Sequence, residues 1–215
     1  LDPKFAHPWN GLGTVYSELN QYDDARAAYQ KAIELDPNFA SPWNGLGALY
    51  SALTQYDDAR AAYQKAIDLG PQYAHFWNSL GIVYGDLNQP IDALAAYQKA
   101  IDLDSQHAHF WSSLGIVYGD LNQPVDALAA YQKAVELDPQ NAHFWNSIGS
   151  IYCALKQYDD ALAAYQKAIK LDPKYAYPWH GLGNTYNALK QTDDALAAYQ
   201  KAIELDPQNA YFWNS

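Results

Sequence analysis

The sequence predicts an all-α fold, a solenoid of antiparallel helical hairpins, and three observations predict it. Tryptophan stands at 9, 43, 77, 111, 145, 179 and 213, 34 residues apart without a slip, and self-similarity at roughly 20 to 50 residues marks a stacked array of one supersecondary unit. Within each period the apolar residues fall into two stripes at helical spacing. Between periods no linker, low-complexity run or shift of composition intervenes. In such an array each unit touches only its neighbours and the core is a continuous ribbon, so residues 1–215 are read as a single domain.

The elements follow in order. Trp9, Leu12, Gly13, Tyr16 and Leu19 share one face of a first helix, and Asn20-Gln21 breaks its pattern. Ala25, Ala28, Tyr29, Ala32 and Ile33 form the stripe of a second helix. Asp23 and Asp24 open that helix, where carboxylates suit the positive end of the dipole; Lys31 is placed near its close, where a cation suits the negative end. Leu35-Asp36-Pro37 ends it, because proline donates no hydrogen bond and biases the residue before it away from α. The same string recurs over 6–39, 40–73, 74–107, 108–141, 142–175 and 176–209, with partial units at 1–5 and 210–215. Units three and four are nearly identical from 76 to 104 and from 110 to 138, which points to recent duplication or deliberate design.

The Trp and Tyr rows are expected to be core rather than a carbohydrate or cofactor box. Burying one large apolar side chain is worth roughly 1.5–3 kcal/mol. Gly13 and its equivalents, with Ala25 and Ala32, let helices approach where a larger side chain would hold them apart.

These residues carry a specific resemblance. Trp9-x-x-Leu12-Gly13-x-x-Tyr16, followed by Ala25-x-x-x-Tyr29, Ala32 and Pro37, resembles the tetratricopeptide repeat over essentially the whole chain. Tyr replaces the usual Phe of the second helix in every unit, Ile148 replaces Leu in the fifth, Ser105 replaces Pro in the third, and Pro90 and Pro124 take the place of Tyr22. The resemblance implies a right-handed superhelix whose concave wall, lined by the first helices, holds an extended peptide or a partner helix.

On that implied wall the columns are informative. One row runs His7, Ser41, His75, His109, His143 and Tyr177, and the next Asn10, Asn44, Asn78, Ser112, Asn146 and His180. An Asn ladder suits a peptide ligand, since each amide can donate to a C=O and accept from an N–H; the plainer alternative is exposed, solvated Asn. The Thr14 row becomes Ile82 and Ile116 mid-array, and the Ser17 row becomes Gly85 and Gly119, beside Asp86 and Asp120. Helix-interior glycine costs roughly 1 kcal/mol against Ala, which close approach of a ligand backbone would offset. The alternative is a neutral Gly copied by duplication. The expected ligand is a neutral to basic extended segment with small apolar side chains and a Lys or Arg. No Lys or Arg lies on this face, so the carboxylate clamp of chaperone-binding members of the family is not expected. The Asn ladder is similar in kind to that of sugar-transferase and peroxisomal-import members, shifted by one residue.

Other classes are disfavoured. A formal charge of −11 and pI near 4.7 argue against nucleic acid. No apolar run reaches the roughly 18 residues of a membrane span, and a cytoplasmic location is expected. The His75, His109 and His143 row does not converge on a metal, because equivalent side chains lie about 10 Å apart while zinc ligands lie about 2 Å from the ion. Their charging below about pH 6.5 is instead expected to weaken binding of a basic ligand. Cys153 is read as an inert free thiol; no catalytic motif, cofactor or metal site is expected.

An uncapped apolar end predicts head-to-tail self-association through 1–16 and 196–215. The functions in play are a peptide-binding scaffold, a self-assembling array (engineered or excised, as the missing first Met also hints), and an arm of a larger bacterial signalling protein.

Overall fold

The structure is a computed structural model that describes residues 5–209 and 212. Among the described residues it contains twelve α-helices and no strand. The chain forms two compact units, Leu1–Ser105 and Gln106–Ser215. The first holds α1 (Ala6–Glu18), α2 (Tyr22–Leu35), α3 (Ala40–Ala52), α4 (Tyr56–Leu69), α5 (Ala74–Asp86) and α6 (Pro90–Leu103); the second holds α7 (Ala108–Asp120), α8 (Pro124–Leu137), α9 (Ala142–Ala154), α10 (Tyr158–Leu171), α11 (Ala176–Ala188) and α12 (Thr192–Leu205). In each unit consecutive helices pack as hairpins, and successive hairpins stack so that each second helix touches the next first helix.

Each hairpin turn closes in the same way. The Asn20 N–H donates to the Ser17 carbonyl at 3.0 Å and the Gln21 N–H to the Tyr16 carbonyl at 2.8 Å. This paired closure places one residue in the left-handed region. The residue is Asn20 (φ 57°), Thr54 (58°), Asn88 (56°), Asn122 (56°), Lys156 (60°) or Lys190 (62°). No turn uses glycine there, and the β-branched Thr54 is the least suited of the six.

The second helices begin with their acids in the first turn, as in Asp23 and Asp24 of α2. Lys31 is a correction to the sequence reading. It lies before the last turn of α2 and pairs instead with Glu34, 2.9 Å away. Pro90 and Pro124 open α6 and α8, where a missing N–H costs nothing. Between hairpins an aspartate closes the turn on itself: the Asn38 N–H donates to Asp36 Oδ1 and the Lys174 N–H to Asp172 Oδ1, both at 3.0 Å.

The core repeats with the sequence. Ala25, Ala59, Ala93, Ala127 and Ala161 are fully buried, as are Ala32 and its equivalents. Tyr29, Tyr63, Tyr97, Tyr131 and Tyr165 are buried beside them. A Cβ on Gly13, Gly47 or Gly81 would stand 2.6–2.7 Å from the ring of Tyr29, Tyr63 or Tyr97, so the glycine column exists to seat the tyrosine column. A core column not anticipated from sequence lies one residue before the tryptophans: Pro42, Phe76, Phe110, Phe144 and Pro178 are buried. Trp9, Trp43, Trp77, Trp111, Trp145 and Trp179 are only half-buried.

Candidate functional site

The expected groove residues fall on one face of each first helix. In the first unit, His75, Asn78, Ile82 and Gly85 descend α5 at steps of three and four residues, and Asp86 follows directly. In the second unit, His109, Ser112, Ile116, Gly119 and Asp120 repeat this on α7, and His143 and Asn146 open α9. Ile82 is 47% and Ile116 55% exposed, unusual for isoleucine in a chain with a full core. A Cβ placed on Gly85 or Gly119 would meet nothing within 4 Å. The fold therefore does not need glycine at either position. Both are penultimate residues of their helices rather than interior ones, which lowers the cost assigned to them from sequence. Asp86 and Asp120 are exposed, and among the described residues neither takes part in a salt bridge.

The Asn ladder differs from expectation in its acceptors. The side-chain oxygens of Asn10, Asn44 and Asn78 are buried without a hydrogen-bond partner. An orphaned buried acceptor costs roughly 1–3 kcal/mol. In the second unit the row runs Ser112, Asn146 and His180. Ser112 sits near the Tyr131 hydroxyl, and His180 is 5% exposed with its Nδ1 3.3 Å from Asn184 Nδ2. Burial pushes the His180 imidazole below its ordinary value.

The tyrosine hydroxyls are the component that sequence reasoning passed over. The rings of Tyr29, Tyr63, Tyr97, Tyr131 and Tyr165 are core and that of Tyr199 is half-buried, and the hydroxyls reach polar side chains of the first helices. The Tyr199 hydroxyl donates to Asn184 Oδ1 at 2.7 Å, and the Tyr29 hydroxyl lies 3.5 Å from Thr14 Oγ1. Ser150 Oγ donates to the Asn146 carbonyl, which leaves the Tyr165 hydroxyl as donor across their 3.2 Å contact. Burial raises Tyr63 and Tyr131, with neighbouring serine hydroxyls opposing the shift. The signal was in the sequence, since Tyr stands where the repeat usually has Phe in every unit.

The histidine row has a packing role. His7 stacks on Phe39 at 4.4 Å between ring centroids, His143 meets the edge of Tyr175 at 4.5 Å, and His109 meets Phe144 at 5.5 Å. His75 meets Phe76 of its own helix at 4.4 Å. Among the described residues no three His, Cys, Asp or Glu side chains gather as a metal site. Cys153 is half-buried with its Sγ 2.9 Å from Thr185 Oγ1. The Thr185 hydroxyl donates to the Gly181 carbonyl at 2.8 Å, so the thiol is the donor in that pair.

Comparison with known families decides the lineage of this arrangement. Models described as TPR repeat match 13–54 and 149–189, and others described as tetratricopeptide repeat match 38–106, 78–142, 130–163 and 176–209. Together they run without a gap from residue 13 to residue 209. The chain belongs to the tetratricopeptide-repeat family. It is a TPR protein with the hairpin architecture of a protein-interaction scaffold, and none of the families it matches is enzymatic.

Among solved structures this TPR chain is similar to YrrB, described as a TPR protein with an unusual peptide-binding site. Identity is 27%, covering 86% of this chain and 96% of that one, with a TM-score of 0.70. PilW, described as a type IV pilus biogenesis factor, shares the fold at 19% identity and TM-score 0.86, covering 97% and 96%. A chain of the APC/C hetero-tetramer Cut9–Hcn1 shares it at 23% identity and TM-score 0.80; 99% of this chain spans 42% of that chain's length. No curated protein gave a significant match. Among the described residues no helix is long and apolar enough to cross a membrane.

Proposed function

We propose that the first-helix face of each unit binds an extended peptide segment carrying a small apolar side chain and a Lys or Arg. The observation that carries this reading is the trio repeated on α5 and α7. An exposed isoleucine stands one turn from a glycine with open space above it, and a carboxylate with no salt bridge follows. The isoleucine offers apolar contact, the glycine lets a ligand backbone come close, and the aspartate attracts a cation. Asn78 Nδ2 and the Ser112 and Tyr131 hydroxyls supply hydrogen-bonding groups nearby. The likeness to YrrB, whose description names a peptide-binding site, supports the class of ligand.

Selection from a random peptide library against the full chain tests it. The expected enrichment is for apolar residues beside Lys or Arg. Affinity for selected peptides is expected to fall about tenfold, or 1.4 kcal/mol, in the Gly85→Arg, Gly119→Arg double variant, with circular dichroism unchanged. A peptide that binds this variant as tightly as the parent refutes the site.

A second reading, stacking of copies end to end, has an observation of its own. Val15 is 50% and Leu196 57% exposed, whereas Leu49, Val83 and Val117, which match Val15, are buried. Residues 1–4, 210, 211 and 213–215 of the segments expected to mediate stacking lie outside the described residues. Sedimentation should show mass growing with concentration, and Val15→Glu should suppress that growth.

A further inference from the structure

On the other side of the first helices, three cavities repeat at equivalent positions. In the first unit Ile33 and Glu34 of α2, Trp43 and Tyr50 of α3 and Asp58 of α4 line an open cavity of about 460 Å³. In the second unit the same register gives about 380 Å³ over Trp145, with Glu136 at its edge, and about 310 Å³ over Trp179, with Asp194 at its edge. Each has an indole and a phenol in its wall, an aliphatic side and at least one carboxylate. No Lys or Arg lines the cavity over Trp179, whereas Arg26 and Lys167 stand over the Tyr50 and Trp145 rings of the other two.

The chain's own cations show what these rings attract. Lys31, Lys133 and Lys201 each pair with a glutamate three residues on, at 2.9, 2.7 and 2.9 Å. In the fifth repeat the residue three after Lys167 is Lys170, so that pairing is unavailable. Lys167 Nζ lies instead over the Trp145 ring, 5.9 Å from its centroid. Arg26 likewise places its guanidinium 5.7 Å from the centroid of Tyr50. Both separations fall within the roughly 6 Å at which a cation is held by the negative face of an aromatic ring. At the third cavity neither arrangement recurs. Lys201 is committed to Glu204, and Leu162 occupies the position equivalent to Arg26.

We propose that these outer cavities receive the Lys or Arg side chains of a basic partner segment, with the Trp179 and Asp194 cavity as the principal seat. The aliphatic wall takes the side-chain stem, the rings take the face of the cation and the carboxylate takes its charge. Neighbouring packed helices lie roughly 8–10 Å apart, and three residues of extended chain span about 10 Å. An Arg-x-x-Arg spacing therefore suits the consecutive cavities over Trp145 and Trp179. This surface is separate from the first-helix face and does not depend on that face binding anything.

The test uses the full chain and the peptide acetyl-Arg-Ala-Ala-Arg-amide, followed through the indole N–H resonances, with Trp179 assigned by Trp179→Phe. The Trp179 resonance is expected to shift on titration. Affinity is expected to fall about threefold or more in Asp194→Asn while changing less than about 1.5-fold in Asp159→Asn, an exposed acid outside the cavities. Gly85→Arg is expected to leave the titration unchanged. A glutamine peptide of the same length that shifts Trp179 equally, equal losses in the two Asn variants, or shifts confined to the Ile82 and Ile116 methyls would each overturn the assignment. So would the absence of any shift at Trp179.

Discussion

Replacing glycine by alanine should have opposite effects at two positions four residues apart, and the contrast tests the clearance argument on which the groove rests. Gly85 and Gly119 have helical rather than left-handed backbone, and an added methyl would touch nothing within 4 Å. Alanine there gains helix propensity and narrows the unfolded ensemble. The gain is about 0.4–1 kcal/mol at a compatible site, and near the lower figure here because both lie next to the last residue of a helix. Gly81 and Gly115 are different. Their new Cβ would sit 2.6 and 2.7 Å from the rings of Tyr97 and Tyr131, which are themselves buried and cannot swing away. Overpacking of this kind costs about 1–3 kcal/mol. Urea denaturation of the four single variants, followed by circular dichroism, reads both signs as midpoint shifts at unchanged slope. In a chain of this size 1 kcal/mol is worth roughly 2–4 °C in Tm. A loss of stability in Gly85→Ala, or none in Gly81→Ala, would refute the reasoning. If Gly85→Ala is more stable yet binds selected peptides less well, the glycine serves the ligand and not the fold.

Three further outcomes are expected. Thr54 occupies a left-handed turn position that asparagine fills in three other hairpins, so Thr54→Asn should raise stability by about 1 kcal/mol, measured by the same urea titration. Because burial holds His180 below its ordinary value, the unfolded chain binds a proton there before the folded one does. Its effect is nil well above the ordinary imidazole pKa of about 6.5, and stability falls as pH drops through that value. His180→Asn should therefore flatten the pH dependence of the urea midpoint below about pH 6.5, and an unchanged slope would count against the assignment. Tyr165→Phe should cost about 0.5–1.5 kcal/mol through loss of the hydroxyl contact to Ser150, visible as a lower midpoint with unchanged far-ultraviolet dichroism.

The twelve helices and their turns were legible because each rests on local rules written six times over. Pro37 and its equivalents follow the end of the second helix in every unit but the third, and Asn20-Gln21 closes the first. What stayed hidden depends on which side chains meet in space. The histidine row reads as a polar ladder, yet His7 lies on Phe39 and His143 on Tyr175, thirty-two residues on in each case. Lys31 reads as a dipole partner until the nearer charge of Glu34 is seen to hold it. The tryptophans were expected to be core, and Trp43, Trp77, Trp145 and Trp179 do pack against it while remaining half-buried. The amide oxygens of Asn10, Asn44 and Asn78 could not be foreseen as orphans, since rotamer and burial are not written in residue spacing.

The different fates of Lys167 and Lys201 bear on how such a chain can diversify. A single substitution three residues downstream redirects a charged arm from a carboxylate to an indole, and the two endpoints both lie within one copy of the motif. A decision made so locally can be edited in one copy without retuning the others. A tandem array of this kind can thus acquire individually addressed stations along its length while its backbone stays uniform.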